Sequence, residues 1–271
     1  MDDERPSRPT VHQIRAVVHP PEVTSRANAE HWTSARYLRR LSVYLTALFV
    51  RTPISANGVT VLMIIAGFLA GPALLLPGVW GPLVAVLLTQ VQMLLDCSDG
   101  EVARWRRASS PRGVFLDQIG HFVAEGSIGL FLGLRAAGLT ADSDPLKTWQ
   151  FAFVGAVLVG GIWFNKALNM MVVVARVNAG LDKQPDIPAT RAIPTSSLIG
   201  RLRRGARFIP FHRLYHSIEL SLLTLAVAIL GTGWVDRLAL DRAFVLVMAG
   251  GIWVVILGHM TAIWHSKRLE P

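Results

Sequence analysis

Cysteine and charge are both scarce in this chain. Cys97 is the single cysteine among 271 residues, so an intrachain disulfide is impossible and no thiolate cluster can hold a metal. Charged residues make up 17% of the sequence, whereas hydrophobic residues make up 52%. The first thirty residues contain arginines and prolines but no apolar run, which argues against a cleaved signal peptide.

The hydrophobic residues stand in long blocks rather than in short amphipathic runs, and the mean hydropathy is +0.42. Each block is near the ~20 residues that cross ~30 Å of hydrocarbon. Their approximate limits are 57–76, 80–104, 113–138, 149–175, 212–232 and 241–264. The sequence therefore predicts an all-α, polytopic membrane protein with six transmembrane helices.

Two segments precede the first block. Residues 1–33 are predicted to be a polar tail, because they are rich in proline and charge. Residues 34–52 are predicted to be an amphipathic helix lying in the membrane interface, with Leu38, Leu41, Leu45 and Leu48 at helical spacing. Residues 53–268 would then form the six-helix catalytic domain.

The formal net charge of +9 could indicate nucleic-acid binding, but the basic residues flank the apolar blocks. That arrangement favours contact with membrane lipids and no nucleic acid. Lysine and arginine are concentrated in alternate connections, including the loop 177–211, in which residues 196–208 are predicted to form a short surface helix. Both termini are therefore predicted to be cytoplasmic.

The chemistry is concentrated in residues 96–121, DCSDGEVARWRRASSPRGVFLDQIGH. On a helix, Asp96, Gly100 and Ala103 share one face, with Asp99 beside them. Carboxylates suit hard divalent cations such as Mg²⁺. The missing side chains leave room for an anionic nucleotide, and Arg104 offers a planar partner for phosphate.

The next helix adds further polar groups. After a turn with a proline and Gly113, Asp117 is predicted to face back toward the first acids, and His121 and Glu125 follow at spacings of four. Ionisable groups in a spanning helix cost ~2.5–3.5 kcal/mol each, which calls for a compensating cation. An alternative is that the acids only pair with nearby arginines at the interface, but such pairing does not require small residues at those positions.

These residues resemble the signature of the CDP-alcohol phosphotransferase (CDP-alcohol phosphatidyltransferase) family, D-x-x-D-G-x-x-A-R-x8-G-x3-D-x3-D. The matching positions are Asp96, Asp99, Gly100, Ala103, Arg104, Gly113 and Asp117. Six spans, with the signature bridging the second and third, are also similar to that family, as is the segment PISANGVT at residues 53–60.

The resemblance implies that Asp96, Asp99 and Asp117 ligate one or two Mg²⁺ or Mn²⁺ ions. It implies nucleotide contacts for Asp96, Gly100, Ala103, Arg104 and Gly113. Its further implications are a CDP-linked donor, an acceptor alcohol or phosphoalcohol, release of CMP, an active site facing the cytoplasm of a bacterial plasma membrane, and a homodimer.

The chain departs from the family at His121, where the signature has a fourth aspartate that serves as a base, a metal ligand or both. A neutral imidazole can accept a hydroxyl proton near pH 7 or coordinate a metal. We therefore expect His121 to be the catalytic base and a candidate metal ligand, with Glu125 restoring the lost negative charge. The alternative is an inactive site.

Other polar residues stand within the later apolar blocks. Charges in spans commonly face a bundle interior or an aqueous cavity. Lys166 and Arg213 are therefore predicted, together with Glu125, to bind the acceptor or its phosphate. Snorkelling toward lipid headgroups is the alternative for both cations, whereas His216 and His259 are predicted to have packing roles.

The reaction predicted is metal-dependent transfer of a phosphoalcohol group to an acceptor hydroxyl in phospholipid biosynthesis. The group transferred is predicted to be phosphatidyl. The same signature would serve a soluble CDP-alcohol donor and a lipid acceptor. An ion-binding transporter would predict discontinuous helices and paired halves, neither of which the sequence indicates. An isoprenoid-diphosphate enzyme would need a second acidic cluster, which the sequence lacks.

Overall fold

A computed structural model describes residues 5–6, 8–20, 33–139, 144–181, 211–233 and 236–270. These residues form helices and no strand, which confirms the all-α prediction. The α-helices are α1 (Val11–Val18), α2 (Arg39–Val50), α3 (Ala56–Ala73), α4 (Trp80–Trp105), α5 (Pro111–Ala137), α6 (Pro145–Asn178), α7 (Ser217–Leu230) and α8 (Arg237–Trp264). The surface helix predicted for residues 196–208 lies outside the described residues.

Four helices in the described part of the chain are long and apolar enough to cross a membrane: α3, α4, α6 and α8. The predicted spans 113–138 and 212–232 correspond to α5 and α7, which do not meet both conditions. Helix α5 has 27 residues but carries the polar side chains of the signature. Helix α7 has 14 residues and is therefore only ~21 Å long. The six-span arrangement remains a prediction.

The chain divides into two compact units. The first comprises Met1–Phe68 and Leu87–Ala124, and the second comprises Leu69–Val86 and Glu125–Pro271. Helices α3, α4 and α5 contribute residues to both units, because the boundaries fall within them.

The first unit contains a helix within the predicted polar tail. Helix α1 begins with a capping box, in which the Thr10 side chain and the Gln13 side chain each bind the other's backbone N–H. Its Ile14 and Val18 are fully buried in a cluster with Val43 of α2 and Trp105 of α4. The T-x-x-Q spacing was the sequence signal for this helix, and the surrounding prolines obscured it.

Helix α2 and the π-helical turn Ser34–Leu38 before it cover the segment predicted to be an interfacial helix. The side chains that α2 buries include Ser42 and Thr46, whereas Leu41 is 51% exposed and Leu48 is 59% exposed. Leu41 and Leu48 therefore point outward, as an interfacial helix requires. Leu38 is instead 2% exposed and Leu45 packs against a buried cluster that includes Phe49, so only half of the predicted stripe is exposed. The position of α2 in a membrane remains a prediction.

In the second unit, α5 and α6 approach each other closely at two glycines. A Cβ added to Gly133 would lie 2.5 Å from the Phe151 carbonyl oxygen and 2.7 Å from the Gly155 Cα. Because both neighbours are backbone atoms, no side chain can rotate to relieve such a clash. Small residues at a helix interface allow this approach in membrane proteins.

A buried ion pair joins α5 to α8 in the second unit. Arg135 Nε lies 3.0 Å from Asp241 Oδ2 of α8. The same guanidinium donates to the carbonyl oxygens of Leu74, at 2.9 Å, and Gly78, at 3.0 Å, in the turn between α3 and α4. These hydrogen bonds to carbonyls reduce the cost of burying the arginine.

The glycine contact yields a stability prediction. Gly133→Ala should lower the free energy of unfolding by about 1–3 kcal/mol, because the new methyl group overpacks a backbone contact. Thermal unfolding of the purified protein in detergent would measure this change. Gly160→Ala on α6 is the matched control, since a Cβ there meets nothing within 4 Å. Equal melting temperatures for the two variants would contradict the close approach.

Candidate active site

Three side chains at signature positions of α4 and α5 converge in the first unit. His121 Nε2 lies 3.2 Å from Asp96 Oδ1 and 3.6 Å from Asp117 Oδ1. One potential ligand atom from each of the three residues lies within 4.8 Å of the others. All three side chains are partly exposed, between 21% and 30%, so the cluster is accessible. The expected approach of Asp117 to Asp96 is thus present.

The connection between α4 and α5 brings these helices together. Helix α4 ends in a Schellman motif: the Ala108 N–H donates to the Ala103 carbonyl at 2.9 Å and the Arg107 N–H to the Arg104 carbonyl at 3.3 Å. Arg107 has a φ of 53°, a conformation that normally favours glycine. Non-glycine residues in this conformation are concentrated near functional sites.

The start of α5 is defined by its own capping residues. Pro111 occupies the first helical position, where its missing N–H and restricted φ are compatible with a helix. The preceding Ser110 accepts a hydrogen bond from the Gly113 N–H at 3.2 Å, as an N-cap serine does. The local sequence between the two acidic helices therefore specifies one helix end and the next helix start.

Asp99 lies outside the group of three and has a partner that sequence reasoning missed. Its Oδ2 accepts a hydrogen bond of 2.7 Å from the hydroxyl of Thr60 on α3, and the residue is only 9% exposed. Thr60 belongs to the segment PISANGVT, which the resemblance singled out without assigning it a role. The hydrogen bond holds one carboxylate oxygen of Asp99 in a fixed direction.

The small residues of the signature have different neighbours. A Cβ at Gly100 would lie 3.2 Å from Arg104 Nη1, so the guanidinium folds back along the bare face of its own helix. A Cβ at Gly113 would lie 3.2 Å from Oδ1 of Asn57, at the start of α3. Ala103, one turn after Gly100, is half-buried. The absence of a side chain therefore makes room for the Arg104 guanidinium at Gly100 and for the Asn57 side chain at Gly113.

Arg106 does not support the alternative in which the acids only pair with nearby arginines. Its Nη2 donates to the carbonyl oxygens of Phe49, at 2.9 Å, and Thr52, at 2.7 Å. Its Nη1 also donates to the carbonyl of Ile54. The Arg106 guanidinium is thus hydrogen-bonded to the backbone that connects α2 with α3, and these bonds do not involve the acids.

The second unit contains a separate charged group, which we call the Glu125 cluster: Glu125, Lys166 and His216. Lys166 Nζ lies 2.7 Å from Glu125 Oε1, and His216 Nδ1 lies 3.2 Å from the same oxygen. Glu125 is 4% exposed. The structure therefore pairs Glu125 with the predicted acceptor-binding lysine, and it adds His216, for which the sequence favoured a packing role.

Two further predicted residues lie in this unit. Arg213 is half-buried within the 3₁₀ helix Phe211–Tyr215 that precedes His216. His259 Nδ1 lies 2.9 Å from Oδ1 of Asn165, a contact that joins α8 to α6 and agrees with a packing role.

Comparison with known proteins agrees with the geometry of the acidic cluster. The sequence profile of the CDP-alcohol phosphatidyltransferase family matches residues 53–229, which include every signature position, helices α3 to α6 and all of α7 except its last residue. No curated protein matches the chain. Because the profile covers more than half of the sequence and contains the converging acids, the chain belongs to the CDP-alcohol phosphatidyltransferase family.

Proposed function

We propose that this protein transfers a phosphoalcohol group from a CDP-linked donor to an acceptor hydroxyl and releases CMP. The group that we propose is phosphatidyl. The family implies transfer from a CDP-alcohol in phospholipid synthesis. The supporting observation is the convergence of Asp96, Asp117 and His121 within 4.8 Å at signature positions. A soluble CDP-alcohol with a lipid acceptor would use the same groups.

The donor chemistry of the cluster fits a divalent cation. Two carboxylates supply hard oxygens of the kind Mg²⁺ and Mn²⁺ prefer, and an imidazole nitrogen is better tolerated by Mn²⁺. Asp96, Asp99, Asp117 and His121 would hold one or two ions. When bound, such a cation supplies positive charge that stabilises the charge developing on the donor diphosphate.

The nucleotide is proposed to lie against Asp96, Gly100, Ala103, Arg104 and Gly113. Gly100 and Ala103 present little side-chain bulk, so a nucleotide can approach the helix backbone. The guanidinium of Arg104 lies along the Gly100 face, where its N–H groups can donate to phosphate oxygens. Asp99 is held by Thr60 in one orientation, which reduces the reorganisation needed on binding.

His121 is proposed to remove the proton of the acceptor hydroxyl. The hydroxyl oxygen then attacks the phosphorus that carries the transferred group, the bond from that phosphorus to the CMP phosphate breaks, and CMP leaves with the bond electrons. Asp96 and Asp117 beside Nε2 would stabilise the imidazolium that forms. If His121 instead ligates a metal, another group must accept the proton.

The acceptor or its phosphate is proposed to bind at Lys166, Arg213 and Glu125. Lys166 and Arg213 supply positive charge for an acceptor phosphate, and Glu125 orients Lys166 through the 2.7 Å ion pair. The charge of Lys166 is partly balanced by Glu125, so the cluster also suits a neutral polyol, whose hydroxyls can both donate and accept hydrogen bonds.

The apolar helices and the family indicate an integral membrane protein. We propose that α5 and α7 complete a set of six crossings and that α2 lies in the interface. We further propose that both termini and the active site face the cytoplasm, and that the enzyme is a homodimer.

Metal-dependent release of CMP is the first expectation. Purified protein incubated with CDP-diacylglycerol and candidate acceptor alcohols should release CMP only when Mg²⁺ or Mn²⁺ is present. Asp117→Asn should lower the rate about a hundredfold or more, because charge stabilisation of several kcal/mol is lost. Mass spectrometry of the lipid product would identify the acceptor.

Asp236→Asn is the matched control for Asp117→Asn, since Asp236 caps α8 and asparagine is an equally good cap. Its rate should equal that of the unmodified protein. CMP release that persists in a chelator, or that Asp117→Asn leaves unchanged, would refute the proposed site.

Substitution of His121 separates its two possible roles. His121→Ala should lower turnover by about 10²–10⁴-fold if the imidazole is the base. His121→Asp restores the family's residue and should retain more activity than the alanine variant, because a carboxylate can both ligate metal and accept a proton. Near-normal turnover of the alanine variant would show that His121 is not the base.

Loss of the Thr60 hydroxyl should weaken metal binding more than it slows the transfer step. Thr60→Val removes the hydrogen bond to Asp99 Oδ2 at nearly constant volume. Loss of a group that orients a metal ligand commonly costs about 10–100-fold in metal affinity. The Mg²⁺ concentration for half-maximal CMP release should rise accordingly. Thr224→Val is the control, since the buried Thr224 hydroxyl donates only within its own helix, to Leu220.

A further inference from the structure

Residues 5–6 and 8–20, which we call the N-terminal strap, lie against the end of helix α4 in the first unit. The strap is held there by apolar packing, because Ile14 and Val18 are fully buried against α2 and Trp105. Arg51 Nη2 donates to the Pro9 carbonyl at 3.2 Å. No part of the family match, which begins at residue 53, includes the strap.

The strap touches the signature arginine directly. The Nε of Arg104 donates to the Val18 carbonyl oxygen at 3.0 Å. On its other side, the guanidinium lies over Gly100, where an added Cβ would be 3.2 Å from Nη1. A bond at Nε fixes the plane of the guanidinium and therefore the directions in which Nη1 and Nη2 donate.

A buried carboxylate anchors the end of the strap. Glu101 is fully buried, and its Oε1 lies 2.8 Å from His19 Nε2. The hydroxyls of Ser42 and Thr46 on α2 donate to the two Glu101 oxygens. Because Val18 directly precedes His19, the His19–Glu101 contact adds to the apolar packing in fixing the direction of the Val18 carbonyl.

A second contact holds the start of the strap. Arg5 Nη1 donates to the carbonyl oxygens of Arg104, at 2.7 Å, and Trp105. The Arg5 guanidinium also stands over the Trp105 ring, 5.4 Å from its centroid. Arg5 thus binds the backbone of the same residue whose side chain Val18 binds.

We propose that the N-terminal strap positions Arg104 for the nucleotide, with His19 as the positioning residue that holds the Val18 carbonyl in place. The inference rests on the proposed function, because it concerns the affinity of that site for a CDP group. An arginine that is already oriented loses less rotamer freedom when it binds phosphate. The strap should therefore strengthen nucleotide binding without touching the nucleotide.

Binding of CDP in the presence of Mg²⁺, measured by titration calorimetry on the full chain in detergent, tests the proposal. His19→Ala should weaken CDP binding about tenfold, because it releases the Val18 carbonyl from Arg104. His12→Ala is the matched control, since His12 is an exposed histidine on α1 of the same strap. Its affinity should equal that of the unmodified protein.

A double-mutant cycle distinguishes the positioning of Arg104 from a general loss of structure in the variant. Arg104→Ala should itself weaken CDP binding, and adding His19→Ala should then have little further effect, because the residue being positioned is gone.

His19→Gln should restore most of the affinity, since a glutamine amide can donate to Glu101. Arg5→Gln should weaken binding less than His19→Ala while leaving the buried carboxylate paired, so it serves if His19→Ala does not fold.

The outcomes that overturn the proposal are distinct. Equal CDP affinity in His19→Ala, or in Arg5→Gln where the former does not fold, would refute the strap's role and leave the proposed function standing. The same would follow if His19→Ala weakened binding equally with and without Arg104. If the unmodified protein binds no CDP with Mg²⁺, the proposed function and the strap's role are both refuted.

Discussion

Two carboxylates that repel each other are held beside one imidazole where helices α4 and α5 meet. Solvent screens the repulsion between Asp96 and Asp117 only in part, because their side chains are 21% and 30% exposed, so positive charge is needed beside them. Several features of the first unit keep these groups together against that repulsion. They include the Schellman turn with Arg107 in a left-handed conformation, the Ser110 cap and the contact of Gly113 with Asn57.

Three arginines of the first unit, Arg5, Arg104 and Arg106, donate to backbone carbonyls. Arg106 closes the connection after α2, Arg5 binds the end of α4, and Arg104 donates from Nε to the strap. Such hydrogen bonds satisfy carbonyls at helix ends, which have no partner within the helix. The imidazole of His121 lies beside both Asp96 and Asp117, and such a group of ligand atoms suits a metal site.

The second unit is built on different interactions. Gly133 and Gly155 let two helix backbones meet, and Arg135 pairs with Asp241 while binding the turn between α3 and α4. The Glu125 cluster combines a buried carboxylate with a lysine and a histidine. In the second unit, ion pairs with Lys166 and Arg135 compensate the burial of Glu125 and Asp241. In the first unit, by contrast, the carboxylates of Asp96 and Asp117 lie near each other.

The sequence by itself determined the helical class, the membrane character and the acidic motif, because apolar block length and motif spacing are local properties of the chain. It also indicated that Asp117 would approach Asp96, since the turn residues between them were recognisable. Only the tertiary structure decided which side chains touch across large separations: Thr60 with Asp99, Lys166 with Glu125, and His19 with Glu101. Such contacts depend on how helices pack, and the strap was obscured because its polar composition resembles that of an irregular tail.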